Sequence, residues 1–578
     1  MTIRLLLPAL WLPLLLAQDT PPQPAAQPAT PAGEAKPAPR ETPADQKAYN
    51  DTLKITDPAK KLEALEKLKK DFPESNFVAV VVDNAILGTL AKMPDQTAKL
   101  RQTARQMYKA AEAQDKKAAA EKHTVPNANR RASAAQSIAN TLLNNNVLLK
   151  DAEGWAKKSV GAMNLPVYLA EQRESYTKRK QNIPPEEELA KRFKEQRAAR
   201  VATLGQIELK LGKTKAAKAL LAEAYGVNNS NVAVASALGE IAAKEGDNAK
   251  AYDYLLNARL SGRIPDSANT TFETLYKQQH NGSLEGLDAA LDSEYHKRFP
   301  NPVHAEPYKP TESRSTRAVL AEVFTGAGCP PCVAADLAFD AAMERFSRKE
   351  LVVVMYHQHI PAPDPITNLD TQARFKTYSG GGVPTFVIDG KKTSGGGPRE
   401  FTRNRYDLIR PDIEKDLELP AEANVKVDAA LSGNTVTVAA NISGVKIESK
   451  DLKVQILLLE KEVRYSGENG VRFHPMVVRA MGGEKAEGYA LERDGKGEFH
   501  ASFDLDAVSK AIKDHLDDYE AKGHRGTSFK FKEKKFQINR GDLAVAVFVQ
   551  DDKTKHVLQS AYVDLSSGAG TRSTNEAQ

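Results

Sequence analysis

Cysteine is nearly missing from this 578-residue chain: there are two. A protein so poor in thiols is not held together by a disulfide framework, and its stability has to come from buried cores. Tryptophan is equally rare, at two residues, and aromatics make up 6% of the chain. Charge of one sign is missing as well, since 81 basic and 75 acidic residues leave a net +6. Lysines are interspersed with acids, as on solvated helical faces, and no basic stripe studded with aromatics occurs. That excludes nucleic acid as an expected partner. After residue 16 no apolar run approaches the ~20 residues that a membrane span requires. Phe77 to Ala91 is apolar but interrupted by Asp83 and Asn84, so no stable membrane span is expected.

What is there begins with the placement of the two cysteines: Gly328-Cys329-Pro330-Pro331-Cys332, after the apolar run Ala318 to Phe324. A bridge at this spacing closes almost no loop and therefore stabilises little, because the gain from a disulfide grows with loop length. Between a strand and the start of a helix, the pair instead sets Cys329 where helix N–H groups and the dipole favour a thiolate. The thiolate is the species that attacks disulfides. A structural bridge, a pair of buried thiols and a metal clip are the competing readings.

At the amino terminus, Arg4 precedes the apolar stretch Leu5 to Leu16, and Ala17 supplies a small residue before Gln18. This is the form of a secretory signal peptide over 1–17, with an uncleaved anchor as the alternative because Leu15 is not small. The location expected is periplasmic or secreted. Residues 18–46 are dominated by Pro, Ala and polar residues, and 567–578 read similarly. Both bury too little apolar surface to offset their ordering entropy and are expected as a disordered linker and tail.

From 47 to 300 the pattern is helical, and part of it repeats. Leu204-Gly205 recurs as Leu238-Gly239, Gly212 as Gly246, Ala217 as Ala251 and Leu221 as Leu255, always 34 residues on. Small residues at this period imply helical hairpins packed closely, clearest over 201–262. The stretch resembles the tetratricopeptide repeat family, though its opening aromatic is replaced by Val201 and Ala235 and its closing proline by Asn229 and Arg263. The resemblance implies a concave surface for a peptide or protein partner.

Residues 311–419 change to strand, helix, strand, helix, strand: Ala318 to Phe324, Val333 to Arg348, Leu351 to Tyr356, Asp370 to Tyr378 and Thr385 to Ile388. Cys329-x-x-Cys332 at a strand-to-helix junction, with Val383-Pro384-Thr385-Phe386 opening a later strand, resembles the thioredoxin fold. The resemblance implies that Pro384 is cis and lies against the sulfurs, shaping an edge for a substrate peptide. It further implies thiol–disulfide exchange in which Cys329 attacks and Cys332 resolves the mixed disulfide. Two departures stand out. Gly328 replaces the tryptophan of thioredoxins, and the acid those proteins bury beneath the site aligns with Val323. Glu322, the nearest carboxylate, is the candidate proton carrier, although strand alternation turns it to the opposite face.

After the second strand, His357, His359, Asp364 and Asp370 could ligate copper or zinc. The more frequent reading of a strand-end histidine is a capped or solvent-facing residue, and no metal or other cofactor is expected. Gly380 to Gly382 and Gly395 to Gly397 do not clearly open helices, which disfavours phosphate loops, and they read as hinges. In 420–566, strands at Val425, Thr435, Val454, Phe499, Leu543 and His556 suggest an immunoglobulin-like β-sandwich with a helical insertion at Asp506 to Ala521. Val463 to Met481, with Arg464, Tyr465, Arg472, His474 and Arg479, reads as a polar-aromatic loop.

The architecture expected is therefore multidomain, α + α/β + β: a helical repeat array, a thioredoxin-like domain and a carboxyl-terminal β-sandwich. The function expected is an exported thiol–disulfide oxidoreductase acting on protein thiols or disulfides. The alternative is a repeat-based binding scaffold whose cysteine pair senses redox state or holds a metal.

Overall fold

The computed structural model describes residues 43–75, 77–120, 128–483, 487–492, 495–524, 528–565 and 571–575. The expected signal peptide and most of the expected linker lie outside them. Among the described residues the chain forms two compact units, one of 43–259 and 264–285, the other of 260–263 and 286–575. No helix of the described residues is long and apolar enough to cross a membrane.

The first unit is helical. Its opening helix, Ala44–Thr52, starts directly after Pro43 and takes up the last residues of the expected linker. Helices then follow one another to Asp266–Gln279, burying Leu65, Leu87, Leu90, Ile138 and Ile207 in one core and Val201, Leu221, Val234 and Leu238 in another. The 34-residue period has a direct packing cause. A Cβ on Gly205 would stand 2.9 Å from Leu221 Cγ, and one on Gly239 would stand 2.5 Å from Leu255 Cγ. In each hairpin the glycine lets the second helix bring a leucine against the first helix's backbone. Gly212 and Gly246, in the turns between the helices, have φ of +77° and +79°, a conformation that glycine alone adopts freely.

The second unit is built on a mixed sheet of nine strands and a second sheet of four. Its strands are β1 (Val319–Thr325), β2 (Leu351–His357), β3 (Thr385–Ile388), β4 (Lys391–Ser394), β5 (Asn424–Ser432), β6 (Thr435–Ser443) and β7 (Leu452–Arg464). They continue as β8 (Phe473–Met481), β9 (Tyr489–Ala490), β10 (Gly497–Asp504), β11 (Leu543–Asp551), β12 (Val557–Asp564) and β13 (Thr571–Asn575). The large sheet runs β12-β11-β7-β8-β2-β1-β3-β4, with β9 on β7, and the small sheet runs β10-β6-β5-β13. β1 and β2 pair in parallel and β3 and β4 are antiparallel to their neighbours. Helices Cys332–Arg345 and Thr402–Leu417 cover one face of β1–β3 through Ala338, Phe339, Tyr406 and Ile409. The other face meets Phe375, Tyr378 and residues of β7, β8 and β11, including Leu457, Val478 and Phe548. Buried on both faces, β1 and β2 lack the apolar–polar alternation of a half-exposed strand, Glu322 being the one acid within β1.

Four features differ from expectation. The boundary expected at 419/420 is no break in the sheet, because β8 pairs with β2 in parallel, Val477 opposite Met355. The expected loop Val463 to Met481 contains the end of β7 and all of β8. Arg472 and Arg479 hid β8 because they are buried with partners: Arg472 Nε donates to Asp292 Oδ1 at 2.7 Å, and Arg479 Nε lies 3.3 Å from Glu460 Oε2. Helix Leu287–Arg298, expected within the helical domain of 47–300, belongs instead to the second unit, where its Asp292 meets Arg472. In the expected tail, Thr571–Asn575 forms β13 along β5, supplying partners to an otherwise unpaired edge.

Candidate functional site

Cys329 and Cys332 are joined by a disulfide, their Cα atoms 5.3 Å apart. The loop Gly326–Pro331 leads from β1 into helix Cys332–Arg345, so Cys332 opens the helix. The turn is closed by Cys329 N–H donating to Gly326 O and Cys332 N–H to Cys329 O, at 3.0 and 3.1 Å. Pro330 and Pro331 contribute no N–H. Both cysteines are buried, with 1% and 0% of their surface exposed, so the half-buried Gly328 and exposed Pro330 form the rim.

Hydrogen bonds to its backbone hold this turn from three sides. Gly397 N–H donates to Pro331 O at 2.7 Å, and Ala334 N–H donates to Gly397 O at 3.0 Å. Gly396 passes so close to Pro331 O and Pro384 that a side chain there would collide. The second side is the β7–β8 connection. Asn469 N–H donates to Ala327 O at 3.1 Å, and its Nδ2 donates to Gly326 O and Cys329 O, both at 3.3 Å. The third is Asp364, whose Oδ2 accepts from Ala327 N–H at 2.7 Å.

The Val383–Pro384 bond is cis, and Cys329 Sγ lies 3.7 Å from Val383 O. The structure thus brings together Cys329, Cys332 and the Val383–Pro384 segment. It does not bring Glu322 to them. Glu322 is fully buried on the opposite sheet face, where Arg374 holds both its oxygens at 2.7 and 2.9 Å. Tyr356 and Tyr378 also donate to it, and Gln550 Oε1 accepts from the same arginine at 2.7 Å. A charge buried so deeply persists because it is paired and fully hydrogen-bonded.

A different acid lies on the helix that Cys332 opens. Asp336 stands one turn after Cys332 on the same helix, the i, i+4 relation that places side chains on one face. Its Oδ2 accepts from Thr325 Oγ1 at 2.9 Å, while Oδ1 is buried without a hydrogen-bond partner. Burial pushes its carboxyl up to about 7, the Thr325 bond and His357 counteracting and Asp364 adding. A carboxyl with that affinity is poised to exchange a proton at neutral pH. The i+4 position was readable from sequence; its burial was not.

The histidine loop is engaged within the protein. His357 Nδ1 lies 2.8 Å from Asp364 Oδ2, and His359 Nδ1 accepts from Asp364 N–H at 2.9 Å. His359 Nε2 faces His515 Nε2 at 3.3 Å, and its ring stacks on Tyr519. Burial holds His359 and His474 down to about 3. Among the described residues no group of three or more His, Cys, Asp or Glu is arranged to hold a metal ion. In comparisons with known proteins, no family model and no curated protein matched this chain.

Proposed function

We propose that the chain is an exported thiol–disulfide oxidoreductase of thioredoxin type, acting on protein thiols or disulfides. The observation that carries the reading is the Cys329–Cys332 disulfide at the start of a helix, with Val383–Pro384 against Cys329. The order β2-β1-β3-β4, with a helix after each of β1, β2 and β4, supports it. In the reductive direction, the Cys329 thiolate attacks a substrate disulfide, forming a mixed disulfide and releasing one substrate thiolate. Asp336, as carboxylate, takes the Cys332 proton. The Cys332 thiolate then attacks Cys329 Sγ, re-forming the disulfide and releasing the second substrate sulfur. Two electrons pass from the cysteine pair to the substrate; the oxidative direction reverses each step. The helical hairpins are proposed to recruit a protein partner, and the apolar amino terminus to direct export.

Alkylation before and after reductant, read by mass spectrometry, should show two thiols appearing. Cys332→Ala should trap Cys329 in a mixed disulfide with its natural partner. Equal alkylation of both cysteines in oxidised and reduced samples would sink the redox reading.

A further inference from the structure

With both sulfurs buried, an approaching substrate first meets the rim of the turn at Gly328 and Pro330. The β7–β8 connection lies directly against that rim. A Cβ on Gly467 would stand 2.5 Å from Ala327 O, and Asn469 is bonded to the backbone of residues 326, 327 and 329. Between them, Glu468 is held beside the residue that precedes the first cysteine. Its Oε2 is buried without a hydrogen-bond partner, 3.6 Å from the Cβ position of Gly328, where Ala362 Cβ is the nearer neighbour at 3.0 Å. Oε1 accepts from Tyr465 O–H at 3.4 Å, and Arg263 Nη1 is 3.8 Å away, leaving 31% of the side chain exposed. On the opposite flank, Arg405 is buried and donates to Gly396 O at 3.0 Å, so it offers an incoming peptide little charge.

Resting on the oxidoreductase reading, we propose that Glu468 is a specificity-determining residue that selects protein disulfides whose attacked sulfur is flanked by a basic residue. A peptide crossing the rim at Gly328 and Pro330 brings its flanking residue to the exposed part of the Glu468 side chain. Burial, the largest influence on Glu468, pushes its carboxyl above the ordinary range; an arriving lysine or arginine relieves that penalty by supplying a counter-charge. An acidic flank adds a second negative charge in a place with restricted water and is rejected by repulsion.

The test uses the full chain, reduced beforehand so that the Cys329–Cys332 dithiol supplies both electrons of a single turnover. Three synthetic peptides with an internal disulfide differ only in carrying Lys, Ala or Glu beside one half-cystine. The wild-type protein should reduce the Lys peptide about tenfold faster than the Glu peptide, a difference of about 1.4 kcal/mol in the barrier. Glu468→Gln should bring that ratio close to one and Glu468→Lys should invert it. The ratio is internal to each protein, so it stands whether or not a variant turns over more slowly. Equal wild-type rates for the three peptides, or an unchanged ratio in both variants, would overturn the assignment of Glu468 alone. Reduction of none of them by the wild type would overturn the oxidoreductase reading itself.

Discussion

Asp336 and Glu322 are both buried carboxyls within 15 residues of Cys332, yet their surroundings are opposite in kind. Glu322 has a bidentate guanidinium and two phenols, and serves the packing of the sheet. Asp336 has one hydroxyl and an unpartnered oxygen, and burial dominates. A folded-state value of about 7 lies above the unfolded value near 4. Asp336 therefore favours the folded state most below pH 4, and that contribution is lost as pH rises through 7. Asp336→Asn removes the dependence while retaining an acceptor for Thr325. Relative to wild type, the variant should gain stability between pH 4 and 8, by up to ~4 kcal/mol at 1.36 kcal/mol per unit. Buried His359 and His474 contribute the reverse slope below pH 6.5, but they are common to both proteins and cancel in the difference. Urea midpoints at pH 4.5, 6 and 8 check this; a variant-minus-wild-type difference that stays flat would remove Asp336 from the proton role.

At the scale of elements, the 34-residue repeat connects a sequence pattern to a packing contact that one substitution can break. Leu255 is fully buried, so a methyl added at Gly239, 2.5 Å from its Cγ, forces the two helices apart. Gly239→Ala should cost ~1–3 kcal/mol by overpacking. Gly154 sits inside helix Leu149–Gly161 with nothing within 4 Å of its Cβ position. Gly154→Ala should therefore stabilise by up to ~1 kcal/mol, since alanine is the better helix former. Trp155, tilted against Tyr108, reports both by fluorescence in urea. Equal effects of the two substitutions would show that the hairpin is not closed by the glycine–leucine contact. The hairpins and β1, β2 and β3 were legible because glycine spacing and short, mostly apolar runs are local signals. β8 was not, since Arg472, His474 and Arg479 mimic a surface loop until their buried partners Asp292, Tyr465 O and Glu460 are known. β4 and helix Thr402–Leu417 escaped for a related reason, the first being a short exposed strand and the second containing Pro411.

For the second unit as a whole, the missing information was long-range. The cysteine pair and the Val383–Pro384 segment could be recognised within one stretch. The union of that stretch with the carboxyl-terminal strands depends on pairings more than 100 residues apart, which no local pattern encodes. Four buried connections make the union strong. β2 lies beside β8; Arg374 reaches both Glu322 and Gln550; Arg317 joins Asp389 to Val557 O at 2.6 Å, while Gln559 Oε1 accepts from Ala318 N–H at 2.8 Å. Separating 311–419 from 420–566 would strand these charged groups and expose Val352, Val354, Leu457, Leu459 and Phe548 together. Each hydrogen bond that Arg374 or Arg317 loses to the carboxyl-terminal strands costs ~1.5–3 kcal/mol, because the donor is a buried charge. The two stretches should therefore unfold as one cooperative body, and the cysteine site should not open separately by loss of its sheet. Hydrogen exchange of the full chain in rising urea tests this. Peptides covering Leu351–His357, Leu452–Arg464 and Leu543–Asp551 should lose protection with the same midpoint and slope. Release of the β2 peptide at lower urea than the other two would mean that the cysteine-bearing stretch folds as a separate domain and merely docks on the remaining strands.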